Sequence, residues 1–218
     1  MTVSASASAS ASASAQAQSA QSLSGLFDQL ERTRVLAILR GPTAAETVRW
    51  CERAWSLGVT LVEVPIRADG DLDLLAAAVD AGRRTGHPVG AGTVVSVQLA
   101  RQVAELGAAF TVAPGLDEEV AAASTDLGLA HLPGVATATE IQRALRLGLP
   151  WQKVFPASVL GPAWFTAQRE PFRTVKFVAT GGVSTENAAS FLQAGAAAVS
   201  LGSAFAHSPD EDIRALSA

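Results

Sequence analysis

Of the sixteen basic side chains in this 218-residue chain, only Lys153 and Lys176 are lysines. Arginine stays protonated at any biological pH, so covalent amine chemistry has two side-chain candidates. Lys153 lies in WQKVFPAS, where strand alternation places it on one face with Trp151 and Phe155. An ammonium on such a face is costly unless paired, and desolvation favours the neutral, nucleophilic amine. The competing reading is a lysine that lays its stem along the protein's outer surface and keeps its charge in water. Lys176 opens the strand in RTVKFVATGG and is expected to be structural. Glu63, in TLVEVPIR, has apolar neighbours on both sides. A carboxylate there must be paired or protonated. Two readings stay open at this point: a structural ion pair with Lys153, or a general acid/base in a partly desolvated setting.

Around this pair stand groups suited to anions. Arg40 and Arg67 can each clamp a carboxylate or phosphate bidentately. ATGGVSTEN (179–187) reads as a strand, the glycines Gly181 and Gly182, then Ser184 as a helix N-cap with Asn187 and Ala188 opening the helix. SLGSAF (200–205) supplies a second glycine turn with Ser203. Backbone N–H groups at such turns cradle anions.

These residues need a scaffold that gathers them. Apolar runs begin near Val35, Thr60, Pro88, Ala109, Leu129, Trp151, Val175 and Ala197. Helical patterns such as Glu46–Leu57, Val97–Leu106, Thr139–Leu147 and Asn187–Gln193 lie between them. Alternating strands and helices mean a parallel sheet, and eight strands favour an α/β (β/α)8 TIM barrel over a doubly wound sheet. Such barrels keep their active sites at the carboxyl ends of the strands, with phosphate sites after strands seven and eight. Arg40, Glu63, Arg67, Thr93, Pro114, Lys153, Phe155, Gly181, Gly182 and Ser203 all fall on that rim.

Leu23, Leu26, Phe27 and Leu30 predict a short amphipathic helix before the barrel, and the end at Ala218 leaves a shortened last helix. Residues 1–22, mostly serine, alanine and glutamine, carry no charge and little bulk, so a disordered tail is expected there and one domain over 23–218.

Composition excludes other classes. A net charge of −4 argues against nucleic acid or anionic membrane as partner. One cysteine, Cys51, leaves no intrachain disulfide, and His87, His131 and His207 lack metal-ligand spacing, so no metal is expected. His131 reads as a packed core histidine and Cys51 as an inert buried thiol. No apolar stretch approaches the roughly 20 residues of a membrane helix. The expectation is a cytoplasmic domain acting on a small molecule.

AILRG (37–41), VEVPIR (62–67), GAGTV (90–94), APG (113–115), LPGVATATE (132–140), KVFPAS (153–158) and TGGV (180–183) occur in this order. Taken together the set resembles the class I keto-acid aldolases of the 2-keto-3-deoxy-6-phosphogluconate and 4-hydroxy-2-oxoglutarate family, from Val35 to Phe205. The resemblance implies a Schiff base on Lys153, proton transfer by Glu63 and substrate-carboxylate binding by Arg67 beside Thr93. It also implies phosphate contacts from Gly181, Gly182 and Ser203, a homotrimer, and no cofactor beyond the covalent imine. Pro65, ATATE and FPAS lean toward the branch that cleaves the galactonate epimer, whereas Arg67 and Thr180 lean toward the gluconate branch. Two rivals are a non-covalent sugar-phosphate isomerase or epimerase barrel and a catalytically silent phosphate-binding barrel.

Overall fold

Leu36, Leu61, Trp151 and Val178 all point to one axis, as period-2 strands closing on themselves require. The computed structural model describes residues 3–217. Helix α1 (Val3–Ser24) runs through a 3₁₀ turn (Gly25–Gln29) into α2 (Leu30–Thr33). The units β1 (Val35–Ile38), α3 (Ala44–Ser56), β2 (Leu61–Pro65), α4 (Asp71–Thr85), β3 (Val89–Gly92) and α5 (Val97–Glu105) follow. Next come β4 (Phe110–Val112), α6 (Glu118–Asp126), β5 (Ala130–Leu132, resumed as Gly134–Val135) and α7 (Ala138–Arg146). The last are β6 (Trp151–Val154), α8 (Ala157–Leu160), α9 (Pro162–Arg169), β7 (Lys176–Ala179), α10 (Ala188–Gln193), β8 (Ala198–Leu201), α11 (Ser203–His207) and α12 (Asp210–Ser217).

All strand pairs are parallel, and β8 returns to β1 through Val35↔Val199. The fifth strand breaks at Pro133, which has no N–H to donate to a ladder. Its first half pairs with β4 and its second with β6, while the Pro133 carbonyl accepts from the Lys153 amide at 2.8 Å. The expected (β/α)8 barrel is what forms, and each expected strand start lies within one residue of the observed one.

Leu36, Leu61, Phe110, Leu132, Trp151 and Val178 fill the lower interior, and Phe27 and Leu30 plug it from below. Phe27 meets the Phe110 ring edge-on at 5.4 Å, and Gly90 leaves the space that ring occupies. Lys176 sits at this lower end. Its Nζ donates to Asp28 and bridges to Glu31, at 2.9 and 2.8 Å, and lies over the Trp151 ring. This is the structural position expected of it.

The expected tail is a correction. Its first two residues lie outside the described ones, but those from Val3 are helical. The second half of α1 docks on the barrel: Ala20 is buried with Ala121, Ala144 and Leu149. Gln16 donates to Asp126 at 3.1 Å, and Gly148 leaves room for the Ala17 backbone, which a Cβ would strike. Alanine is the best helix former, and small side chains let two backbones approach closely. An entropy argument that weighs side-chain bulk alone misses that contact. Helix α1 therefore meets the barrel before residue 23.

His131 points outward from β5 into the strand–helix layer, its Nδ1 2.8 Å from Thr111 Oγ1, which donates to Ser124. Burial lowers its pKa to about 4 against the opposing charge of Asp117, so it is neutral at pH 7. Burial and then the Glu52 charge raise Cys51 to about 12, as befits an unreactive thiol.

Candidate active site

One turn above the apolar plug, the inward positions change character. The same alternation that puts Leu61, Trp151, Val178 and Ala198 inside brings Glu63, Lys153, Thr180 and Ser200 inside two residues later. Glu63 is 2% exposed and Lys153 7%. Both line a cleft of about 300 Å³, together with Thr93, Pro114, Phe155 and Ser203. It opens at the carboxyl ends of the strands.

Glu63 Oε2 is buried with no hydrogen-bond partner among the described residues. Burial pushes its carboxyl above the usual carboxylate range, and the charge of Lys153 opposes that push without cancelling it. The two groups do not close to an ion pair within 4.0 Å. The structural-ion-pair alternative therefore lacks its contact. Gly92 is what admits the carboxylate, since a Cβ there would overlap Glu63. On the other side Lys153 Nζ lies 5.2 Å from the centroid of the Phe155 ring, which stands at the mouth with 38% exposure. An inward lysine beside an inward, unsatisfied carboxyl can attack a carbonyl and move protons next to it.

Thr93 takes a left-handed backbone, φ 62°. A β-branched residue there costs about 1–3 kcal/mol, a strain found chiefly where function fixes the chain. Thr180, just past the end of β7, donates to Ser200 on the neighbouring strand β8 at 2.9 Å. Ser200 escapes sequence reasoning, although its alternation with Ala198 on β8 is the signal that could find it.

Gly181 and Gly182, with φ of 93° and 70°, turn the chain beside Ser203, and all three line the cleft. A Cβ at Gly182 would run into Ser158. Ser184 does not cap the helix as expected. Its N–H donates to Asn187 Oδ1, the Asn187 amide returns to the Gly182 carbonyl, and α10 begins at Ala188. An Asn three residues on competes for the role of turn closer.

Arg40 and Arg67 stand at an adjoining hollow of about 430 Å³, which shares Thr93 and Ser203 with the cleft. Arg40 is expected to meet substrate, but its Nη1 is paired with Asp71 at 3.2 Å. Arg67 has no carboxylate within 4.0 Å among the described residues. No group of three or more His, Cys, Asp and Glu able to hold a metal occurs among the described residues. No helix among them is long and apolar enough to cross a membrane.

Fold and site together define a (β/α)8-barrel aldehyde-lyase. The chain belongs to the KDPG and KHG aldolase family, whose model matches residues 26–217. It is 37% identical over 171 residues to a 2-dehydro-3-deoxy-phosphogluconate aldolase of Treponema pallidum, covering 77% of this chain and 79% of that one. It is 34% identical over 170 residues to a 2-dehydro-3-deoxy-6-phosphogalactonate aldolase of Escherichia coli, covering 78% and 82%. A KDPG aldolase from Legionella pneumophila, solved with pyruvate captured as a covalent carbinolamine, superposes with a TM-score of 0.75 at 25% identity, covering 86% of this chain and 94% of that one.

Proposed function

We propose that this chain is a class I aldolase that cleaves a 2-keto-3-deoxy-6-phospho sugar acid, or 4-hydroxy-2-oxoglutarate, through an imine on Lys153. The observation that carries the reading is the pair of inward groups, Lys153 and an unpartnered Glu63, in one cleft. The pyruvate carbinolamine of the Legionella pneumophila relative supports it.

The Lys153 amine adds to the C2 carbonyl, and the carbinolamine loses water to give a protonated imine. Ionised Glu63, directly or through a water, takes the proton of the C4 hydroxyl. The C3–C4 bonding pair then flows into the imine, an aldehyde leaves, and the enamine remains on the enzyme. Protonation at C3 and hydrolysis release pyruvate and restore the amine. The imine is the electron sink, so the reaction needs no metal and no cofactor. Arg67 and Thr93 hold the substrate carboxylate, and Pro114 and Phe155 wall the cleft. Gly181, Gly182 and Ser203 receive the phosphate, so the aldehyde is glyceraldehyde 3-phosphate for the phosphorylated substrates. The working form on this reading is a cytoplasmic homotrimer.

Borohydride reduction in the presence of pyruvate tests the reading directly. Peptide mapping should find one reduced pyruvyl unit on Lys153 and none on Lys176. An adduct on Lys176, or no adduct, defeats it; the latter is what a non-covalent isomerase or a silent binder would give.

The phosphate contacts are tested separately. Gly182 is a poor site for this, because its positive φ makes any side chain strained. Ser203 is exposed and carries no such strain. Ser203→Asp should lower kcat/KM for the phosphorylated substrate by at least about tenfold through like-charge repulsion. Cleavage of 4-hydroxy-2-oxoglutarate, which lacks a phosphate, should fall much less. Equal losses on both substrates would mean that Ser203 does not face phosphate.

A further inference from the structure

The loops after β1 and β2 deliver Arg40 and Arg67 to the mouth of the barrel, and a single buried carboxylate joins them. Asp71, 5% exposed, is the first residue of α4. A carboxylate in a first helical turn ordinarily faces solvent and its own helix amides. This one reaches backward. Its Oδ2 accepts from the Arg67 amide at 2.8 Å and the Ala68 amide at 3.2 Å, and its Oδ1 accepts from Arg40 Nη1 at 3.2 Å. Burial works against the charge, but the Arg67 amide and the Arg40 guanidinium outweigh it and hold the carboxyl below its usual range.

Two consequences follow for the site. The main chain at Arg67 is pinned, so its side chain leaves from a fixed point into the hollow shared with Thr93. The charge of Arg40 is opposed at close range, whereas Arg67 has no carboxylate within 4.0 Å among the described residues. An incoming carboxylate therefore meets one unopposed guanidinium. We infer that Asp71 is a positioning residue for substrate binding: by tying the second βα loop and engaging Arg40, it makes Arg67 the clamp for the keto-acid carboxylate. Arg40 braces that clamp and does not itself touch substrate.

The inference rests on the aldolase reading, and the experiment separates the two. Borohydride trapping gives the half-saturating pyruvate concentration, and steady-state cleavage gives kcat and KM. A clamp that holds the carboxylate equally before and during bond breaking acts on KM. Asp71→Ala should raise both KM and half-saturating pyruvate at least about tenfold while kcat changes less than about threefold. Asp71→Asn, whose amide oxygen can still accept from both backbone amides but whose NH2 cannot pair with Arg40, should raise KM by less than Asp71→Ala does, to a value between that variant and wild type. In an Arg67→Ala background, Asp71→Ala should add less than about twofold, because its route of action is gone. Where Asp71→Ala does not fold, Asp71→Ser, too short to reach the Arg67 amide and Arg40 together, is read in the same way. A fall in kcat at unchanged KM, in step with loss of folded protein, overturns the inference. So does a full additional effect on top of Arg67→Ala. A wild-type protein that is never trapped overturns the aldolase reading and this inference with it. A trapped wild type with indistinguishable Asp71 variants overturns this inference alone.

Discussion

Lys153→Arg should abolish cleavage and borohydride trapping together while leaving the barrel folded. The guanidinium keeps a positive charge near buried Glu63, so the carboxyl is not stranded without a counter-charge. It has no free amine pair at any working pH, so the covalent step has no nucleophile. The expected loss in kcat is at least about 10³-fold, or about 4 kcal/mol of transition-state stabilisation. Coupled detection of pyruvate measures it, and circular dichroism checks the fold. Lys176→Arg is the paired control. Arginine can keep the bridges to Asp28 and Glu31 and lie over Trp151, so activity should stay within about twofold. A Lys153→Arg protein retaining a substantial fraction of wild-type activity would remove the imine from the mechanism.

Periodicity makes the barrel and its central pair legible. Trp151, Lys153 and Phe155 share a face by simple alternation, as do Leu61 and Glu63, and both alternations persist in the structure. Local chemistry is harder to read wherever two plausible partners compete. Ser184 has a good N-cap side chain, but Asn187 captures its amide, and the helix starts later. Asp71 looks like any acid opening a helix, and nothing in its spacing reveals that its oxygens turn back to Arg40 and Arg67. The Ser-Ala segment misleads for a different reason. Its composition contains no large apolar group, yet Ala17 and Ala20 pack because Gly148, Ala121 and Ala144 are small as well. Complementary smallness is a property of two surfaces, and a one-dimensional pattern displays only one of them.

Glu63→Gln should cost about 10² to 10⁴ in kcat, the range of a lost general base, and should change the pH dependence of both activity and stability. Burial holds the Glu63 carboxyl above the usual carboxylate range in the folded chain. Its basic form is the ionised one, so wild-type kcat must fall as pH drops through that raised pKa, and the Gln variant must lack this acid limb. Stability runs the other way. Between the unfolded value near 4.5 and the raised folded value, the folded chain binds more protons than the unfolded one. The carboxyl therefore makes the protein less stable as pH rises through that window, and the Glu63→Gln substitution removes the contribution. His131 titrates with the opposite sign from its ordinary 6.5 down to about 4, so the difference between wild type and variant is the quantity to follow. Thermal melts from pH 4 to 8 should show the Gln variant gaining on wild type toward neutral pH, while its activity stays depressed throughout. A buried, unpartnered carboxylate that lowers stability at the pH where it works is what a proton-transfer role requires of Glu63. If the Gln variant melts no higher than wild type at neutral pH and keeps the acid limb in kcat, the ionised carboxylate is neither a burden on the fold nor the base for the C4 hydroxyl.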